Sequence, residues 1–212
     1  MSDPNAVPPV TLNRLSIYLR CLRRLREEGV RRVSSQRLAR LYRLSATQIR
    51  KDLTQFGEFG IRGVGYEVDQ LCDRLAALLG VDRTRSIVVV GMGNLGSALA
   101  CHIGFNNESF AVVGGFDNDQ RKVGTTVGHL QITHISDLPA FIERTRAEIG
   151  VITVPALAAQ RNYDTLVAAG VQAVLNFAPV RLKLDPQVPT KNVDLSINLE
   201  ELGFFLRNGV IS

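Results

Sequence analysis

The sequence contains no tryptophan, only three histidines and only three cysteines among its 212 residues. Cys21, Cys72 and Cys101 lie far apart and form neither a CxxC pair nor a zinc spacing. This predicts reduced thiols in the cytoplasm rather than a disulfide framework or a metal site. No apolar run reaches the roughly 18 residues that a membrane helix needs. The first residues carry neither a basic nor an apolar segment, so we expect no signal peptide and no membrane contact.

Acidic residues are sparse in the first part of the chain. Residues 1–85 hold 16 Lys and Arg, all but one of them arginine, against 9 Asp and Glu. Residues 86–212 hold 9 Lys and Arg against 11 Asp and Glu. A basic half beside a near-neutral half predicts a polyanion partner for the first half alone. Solvated helix faces explain some of these arginines but not the imbalance.

The basic half is predicted to form three short helices. Leucine spacing predicts the first over residues 11–28, with Thr11 as its cap, and the second begins at Ser34 or Ser35. The third opens at Ser45 in an S-x-x-Q capping box. A tight turn before a polar, basic third helix is typical of a helix-turn-helix. The polar face of that third helix carries Thr47, Gln48, Arg50 and Lys51.

A glycine-rich segment, residues 57–66, follows the third helix. Its glycines alternate with aromatic, apolar and basic residues, which favours a β-hairpin wing over a flexible linker between domains. Arg62 on such a wing is placed to enter the minor groove of DNA.

The second half opens with a β-branched run that ends in glycines at GxGxxG spacing. In a strand–turn–helix unit these glycines allow a tight turn, close approach to a pyrophosphate, and helix packing on the sheet. Asp117 ends the next apolar run, 21 residues after the last of them, where such folds place a carboxylate on the adenosine ribose. The alternative is a turn aspartate that caps the next element. A ribose role favours NAD over NADP, although Arg121 and Lys122 lie close by. The turn comprises Gly91, Met92, Gly93, Asn94, Leu95 and Gly96.

Strands alternate with helices through the rest of the chain. We expect strands over 129–135, 149–155 and 171–177, and helices over 137–146, capped by Asp137, and 157–168. This alternation predicts a parallel, doubly wound α/β sheet. Its strand ends near residues 153–155 and 176–179 should border the cofactor cleft. An amphipathic helix around residues 197–207 is too apolar to face water, so it covers its own sheet or packs on a second subunit.

Ten segments match one known pattern: residues 14–15, 18–20, 31–35, 50–53, 56–60, 62–66, 91–96, 153–155, 176–180 and 192–194. Together they closely resemble the Rex family of redox-sensing transcriptional repressors, and the resemblance runs from about Thr11 to Phe205. The resemblance implies a winged-helix DNA-binding domain (residues 1–80), a Rossmann domain that binds NADH and NAD⁺ (81–190), and a C-terminal helix exchanged within a homodimer (191–212). It also implies a palindromic double-stranded operator that NADH releases.

The resemblance also assigns residues by position. The nicotinamide-side candidates are Val154, Pro155, Phe177, Ala178 and Pro179. The DNA-binding candidates are Arg14, Ser35, Thr47, Gln48, Arg50, Lys51 and Arg62, although Arg50 or Lys51 could instead pair with Asp52 or Glu58.

A redox-dependent contact in some Rex proteins joins an arginine, a tyrosine and an aspartate. Arg20 and Asp194 match two of these positions, and His102 stands where the tyrosine is expected. A histidine changes its charge near neutral pH, so a pH-sensitive NADH response is one hypothesis. A helix-end histidine without a sensing role is the other.

Two other functions compete with a repressor. An NAD-dependent dehydrogenase needs a proton donor or acceptor near the nicotinamide, and no histidine adjoins the predicted strand ends. We therefore expect no catalytic residue and no enzyme activity. A CoA-binding module shares a similar glycine-rich core, but Asp117 favours a ribose diol.

Overall fold

The computed structural model describes residues 7–57, 59–61 and 64–209. The chain divides into two compact units, one ending at Arg83 and the other starting at Thr84, and each has its own hydrophobic core. Within the described ranges, no helix is long and apolar enough to cross a membrane. Among the same residues, no group of three or more His, Cys, Asp or Glu side chains is placed to hold a metal ion.

Among its described residues, the first unit contains four helices. They are α1 (Pro9–Glu27), α2 (Ser35–Tyr42), α3 (Ala46–Gln55) and α4 (Val68–Leu78). The predicted cap at Thr11 is wrong: α1 begins two residues earlier, because Pro9 at the first position has no N–H group to leave unpaired. Leucines of α1 at helical spacing, with Ile49 and Leu53 of α3, form the core of this unit.

The caps of α2 and α3 follow the sequence signals. The Ser34 hydroxyl accepts the Arg37 N–H at 3.1 Å, and the Ser45 hydroxyl accepts the Gln48 N–H at 3.3 Å. Only this half of the predicted capping box forms, because the Gln48 side chain donates to Asp52 instead of returning to Ser45. Arg43 closes α2 in the left-handed region, with φ of 52°.

The predicted hairpin wing is confirmed. Strands β2 (Gly60–Ile61) and β3 (Gly65–Glu67) pair antiparallel, and β1 (Arg32–Val33) pairs with the other side of β3. Gly65 has φ of +97°, and a Cβ there would lie 2.6 Å from the Val33 carbonyl oxygen, so only glycine fits. Arg62 and Glu58 lie outside the described residues.

The second unit is built on a seven-stranded sheet in the order β10-β9-β8-β4-β5-β7-β6. All neighbouring strands are parallel except the β6–β7 hairpin, so the predicted doubly wound parallel sheet is confirmed. The strands are β4 (Arg85–Val90), β5 (Phe110–Asp117), β6 (Thr126–Val127), β7 (Leu130–His134), β8 (Ile149–Ile152), β9 (Ala173–Asn176) and β10 (Thr190–Asn192).

Helices α5 (Asn94–Cys101), α6 (Leu138–Thr145) and α7 (Ala156–Ala168) connect these strands. Alternate residues of β4 enter opposite cores: Val88 and Val90 pack with residues of α6 and α7, whereas Ile87 and Val89 pack with Ala100 of α5. Asp137 precedes α6 but makes no side-chain cap hydrogen bond, contrary to the prediction. Strand β10 was not predicted; its short polar sequence, Thr190–Asn192, has no apolar alternation.

The last helix, α8 (Leu195–Asn208), has no buried residue. Leucines, isoleucine and phenylalanines all along it are exposed, including Leu202 at 57% and Leu206 at 85%. Of the two predicted alternatives, coverage of its own sheet is therefore wrong for this chain.

Candidate functional site

The glycine turn lies between the carboxyl end of β4 and the start of α5. Gly91 has φ of +96°, and a Cβ on it would lie 2.8 Å from Val154 Cγ1 and 2.9 Å from the Thr153 carbonyl carbon. A Cβ on Gly96 would overlap the Gly91 carbonyl oxygen. These two glycines are therefore required by the packing of the turn against the end of β8.

Gly93 differs from the other two glycines of the turn. It caps α5 with φ of −79°, a backbone conformation open to any residue, and a Cβ there would meet no atom within 4 Å. The space beside Gly93 is therefore open at the N-terminus of a helix whose cap supplies no side-chain hydrogen bond. Free N–H groups and a partial positive charge at such a helix end suit a phosphate. This open backbone fits the pyrophosphate of a dinucleotide.

Thr153 holds the turn from the neighbouring strand end. Its hydroxyl lies 2.7 Å from the Gly91 carbonyl oxygen and 3.0 Å from the Val90 carbonyl oxygen. From the sequence, Thr153 was placed only within the segment 153–155 and had no predicted role of its own. The sequence signal for this role is a polar residue directly after a buried strand, and the prediction did not use it.

Asp117 ends β5 with its side chain only 7% exposed. Its Oδ2 accepts the Met92 N–H and the Lys122 ammonium, each at 2.8 Å, and its Oδ1 accepts the Asp119 N–H at 2.9 Å. A carboxylate has about four acceptor positions, so these contacts leave about one for a ribose hydroxyl. Asp117 therefore braces the glycine turn through Met92, which neither alternative predicted, and its hydrogen bond from the Asp119 N–H fits the turn-aspartate alternative. Its ribose role stays a prediction.

Two carboxylates near the glycine turn, Asp117 and Asp119, are each paired with a cationic side chain. Burial by itself raises the pKa of Asp117, but the hydrogen bond from Lys122 and those from backbone N–H groups outweigh it, so the pKa lies below its usual range. Hydrogen bonds from Arg121 lower the pKa of Asp119 to about 2. Each carboxylate thus has its own cation, which weakens the predicted preference for NAD over NADP.

The nicotinamide-side candidates lie at adjacent strand ends. Ile152 of β8 and Asn176 of β9 are in register, so the segments that follow them leave the sheet side by side. Val154 occupies the space that a Cβ on Gly91 would enter, and Ala178 is buried, whereas Pro155 and Pro179 are exposed. The structure therefore brings Val154, Pro155, Phe177, Ala178 and Pro179 to the edge of the sheet that also carries the glycine turn.

The exposed face of α3 carries Thr47, Arg50 and Lys51, as predicted. Arg50 Nη1 donates to the Ser35 hydroxyl at 2.9 Å, and Arg50 Nη2 donates to the Thr47 hydroxyl at 3.2 Å. Three DNA-binding candidates thus form one cluster that joins α2 to α3. Lys51 extends the basic surface beside it.

A buried carboxylate, Asp52, fixes α3 against α1. It accepts two hydrogen bonds from Arg14, at 2.6 and 2.8 Å, one from the Tyr18 hydroxyl at 2.8 Å and one from Gln48 Nε2 at 2.7 Å. Arg14 and Gln48, both DNA-binding candidates, are therefore partly committed within the protein. Burial raises the pKa of Asp52, but its hydrogen bonds from Arg14, Gln48 and Tyr18 outweigh burial and hold the pKa below its usual range.

Replacing Asp52 by alanine is expected to lower the free energy of unfolding by about 2–4 kcal/mol at neutral pH, because Arg14 and Tyr18 lose their common acceptor. Because the folded-state pKa is depressed, this stabilisation is present above the usual Asp value of about 4 and is lost as the pH falls through the folded-state value. Urea unfolding at neutral pH and at about pH 3 measures it, and the difference between wild type and variant should shrink in acid.

The control is Asp69→Ala, which removes an exposed carboxylate 2.9 Å from Arg26. An exposed pair of this kind contributes less than about 1 kcal/mol. If Asp52→Ala and Asp69→Ala lower the free energy of unfolding equally, the buried hydrogen bonds of Asp52 do not stabilise the fold more than an exposed ion pair does.

The two switch candidates of the second unit, His102 and Asp194, have separate hydrogen-bond partners. His102 Nδ1 accepts the Gly104 N–H at 2.9 Å, whereas Asp194 caps α8 by accepting the Ser196 N–H at 2.9 Å. In the part of the chain that the structure describes, neither of these two side chains bonds the other. Arg20 is exposed on α1, in the first unit. The redox-dependent network stays a prediction.

Two family models match the chain. One described as "Putative DNA-binding protein N-terminus" matches residues 6–54. The other, described as "CoA binding domain", matches residues 82–180.

Curated relatives match nearly the whole chain. The redox-sensing transcriptional repressor Rex of Carboxydothermus hydrogenoformans is 44% identical over 201 residues, which cover 95% of this chain and 97% of that protein. The protein of the same name from Syntrophomonas wolfei is 46% identical over 200 residues, covering 94% of this chain and 95% of that protein.

Solved structures match over the same length. RSP, described as a Rex-family repressor, was crystallised with NAD⁺ and operator DNA; that chain matches with a TM-score of 0.89 and 36% identity, covering 95% of this chain and 93% of its own. RSP in complex with NADH matches with a TM-score of 0.83 and 34% identity, covering 96% of this chain and 95% of its own.

Proposed function

The chain belongs to the Rex family of redox-sensing transcriptional repressors, and from this premise we propose that it binds a palindromic operator as a homodimer and releases it when NADH binds. Its relatives are named repressors, so the prediction of a regulator rather than a dehydrogenase is confirmed. The observation that carries the proposal is the pairing of a basic helix-turn-helix with a glycine turn open to a pyrophosphate.

The second unit binds NADH and, more weakly, NAD⁺. The backbone from Gly91 to Gly96 receives the pyrophosphate, and the remaining acceptor position of Asp117 receives a ribose hydroxyl. The strand-end segments with Val154 and Phe177 border the nicotinamide, whose oxidation state distinguishes the two ligands. An apolar border disfavours the cationic ring of NAD⁺ relative to the neutral ring of NADH, because burial of a charge costs free energy.

The first unit binds DNA through α3 and the wing. Helix α3 enters the major groove with its exposed face, where Thr47, Arg50 and Lys51 contact phosphates or base edges. Arg62, which follows β2 in the sequence and lies outside the described residues, is the candidate for the adjacent minor groove. Since a two-fold dimer carries two such units, its half-sites are spaced about one helical turn apart.

The second copy is held through α8. A helix with seven exposed large apolar side chains and no buried residue needs a cover, and its own sheet does not provide one. A second copy of the chain offers the same apolar helix in return, which gives a closed two-fold interface.

The free thiols of Cys21 and Cys72 are buried, which agrees with a cytoplasmic protein.

NADH and operator DNA compete through two states of the dimer. NADH prefers one arrangement of the cofactor-binding units, and DNA prefers the spacing of α3 helices in the other. By linkage, operator DNA must weaken NADH binding by the same factor by which NADH weakens operator binding.

A gel shift with a palindromic operator at fixed, stated salt tests this function, since phosphate contacts make affinity salt-dependent. We expect NADH to release the operator at concentrations where NAD⁺ and CoA do not. Calorimetric titration of NADH, NAD⁺ and CoA gives the affinities directly. Operator binding that is unchanged in saturating NADH would refute the regulatory function, and tighter binding of CoA than of NADH would favour the CoA-binding alternative.

Replacing Lys51 by alanine is expected to weaken binding to all DNA sequences to a similar degree, because an exposed ammonium acts on phosphates rather than bases. The slope of log affinity against log salt should fall by about 1 for each subunit. Filter binding over a salt series measures it, with exposed Lys183→Ala in the second unit as the control. A variant slope equal to that of the wild type would exclude a phosphate contact.

A further inference from the structure

Asn176, the last residue of β9, is completely buried, and its side chain fixes the turn that follows it. Its Oδ1 accepts the Ala178 N–H at 2.9 Å, and its Nδ2 donates to the Ala178 carbonyl oxygen at 3.2 Å. The side-chain amide therefore pairs with both backbone groups of one residue. This pairing sets the path of Phe177 and Pro179 at the edge of the sheet where the nicotinamide-side candidates lie.

The same side chain also holds the strand that leads into α8. Asn176 Nδ2 donates to Asn192 Oδ1 at 3.0 Å, and the Asn176 carbonyl oxygen accepts the Val193 N–H at 2.8 Å. Asn192 ends β10, and two residues later Asp194 caps α8. One buried amide thus lies between the cofactor-side turn and the first residue of the helix proposed to hold the second copy.

The side-chain amide of Asn176 is hydrogen-bonded to Ala178 and to Asn192 at the same time. Both of its donor positions and its acceptor are engaged, and its burial leaves no water to replace a broken bond. A displacement of the Phe177–Pro179 turn must therefore move Asn192 with it or lose a buried hydrogen bond, which is unfavourable.

We infer that Asn176 is a positioning residue for the NADH response, which couples the Phe177–Pro179 turn to the N-terminus of α8 through Asn192. The inference rests on the proposed function, since it needs a dimer held by α8 and a dinucleotide at the turn. It explains why β10, a short polar strand, is hydrogen-bonded to the sheet just before α8 begins.

The test changes Asn192, because this residue is exposed and its replacement does not open the core. Asn192→Leu keeps the approximate size of the side chain and removes the acceptor, whereas Asn192→Asp keeps an oxygen acceptor for Asn176. The coupling factor is the ratio of operator dissociation constants with and without saturating NADH. We expect Asn192→Leu to reduce it about two- to tenfold, the range for one lost hydrogen bond, and Asn192→Asp to retain it.

A merely structural role would lower the thermal stability of Asn192→Leu and leave the coupling factor unchanged, and this result would overturn the inference. Equal loss of coupling in Asn192→Leu and Asn192→Asp would also overturn it, since the acceptor would then be irrelevant. A wild-type protein with no coupling would remove the proposed function and this inference together. Wild-type coupling that Asn192→Leu preserves would remove the inference alone.

Discussion

Replacing both Leu202 and Phe205 in α8 by glutamate is expected to convert the proposed dimer into a monomer and to weaken operator binding about a hundred- to ten-thousandfold. In the proposed dimer two linked units bind two half-sites, and a monomer would lose the gain in affinity that comes from that linkage. Two charges placed in an apolar interface must also be desolvated without partners. Sedimentation equilibrium measures the oligomeric state, and a gel shift at fixed salt measures the operator affinity.

The two glutamates should prevent association of two copies without unfolding a single copy. Leu202 and Phe205 are 57% and 38% exposed within the chain, so their replacement removes few contacts from the fold of a single copy. The control is Glu201→Gln, a change of a polar side chain on the same helix. A Leu202→Glu/Phe205→Glu double variant that stays dimeric at the concentration of the wild type would show that α8 does not hold the second copy.

The architecture was predictable wherever one strong local pattern decided an element. The β-branched run of β4 and the glycines after it leave few conformations other than a strand and a tight turn. Leucines at helical spacing predicted α1, and glycines that alternate with aromatic residues predicted the wing. The short polar strand β10 carries no such pattern, because its place in the sheet comes from tertiary hydrogen bonds to β9.

The residues that brace the sites were harder to predict than the sites themselves. Asp52 reads as one more charge on a polar helix face, yet it is buried by partners 34 and 38 residues away in sequence. Thr153 likewise acts on backbone groups 62 and 63 residues away, and Asn176 acts on the side chain of Asn192, 16 residues away. A sequence pattern gives residue types and spacing along one element, whereas these roles depend on contacts between elements.

The residues assigned to DNA show the same limit. Arg14 was placed by position in the family pattern, but its guanidinium is held by Asp52 and by the Thr11 hydroxyl. Arg50 was weighed as a partner of Asp52, and it bonds Ser35 and Thr47 instead. An arginine can bind a phosphate of DNA or a carboxylate within the protein. Three-dimensional packing decides between them, and the spacing of residues along the sequence does not give that packing.

Replacing Gly93 by valine is expected to lower NADH affinity at least about a hundredfold, or ~2.7 kcal/mol, while the protein stays folded. The side chain enters space that is open in the protein, where the backbone must approach the pyrophosphate. Since φ at Gly93 is ordinary, the free energy of unfolding should fall by no more than about 1 kcal/mol, the scale of a changed helix cap. Calorimetric titration of NADH and urea unfolding measure the two quantities.

Gly96→Ala is the informative contrast, because its methyl group meets the Gly91 carbonyl oxygen inside the protein itself. That variant should lose about 1–3 kcal/mol of folding stability, the usual cost of overpacking, along with NADH binding. Ala98→Val, on the exposed face of α5, controls for a β-branched residue in the same helix and should bind NADH normally. Gly93→Val should still bind operator DNA and hold it in the presence of NADH, since the DNA-binding unit is untouched. If Gly93→Val binds NADH as tightly as the wild type, the dinucleotide does not lie on the glycine turn, and the coupling of redox state to DNA must act through another surface of the second unit.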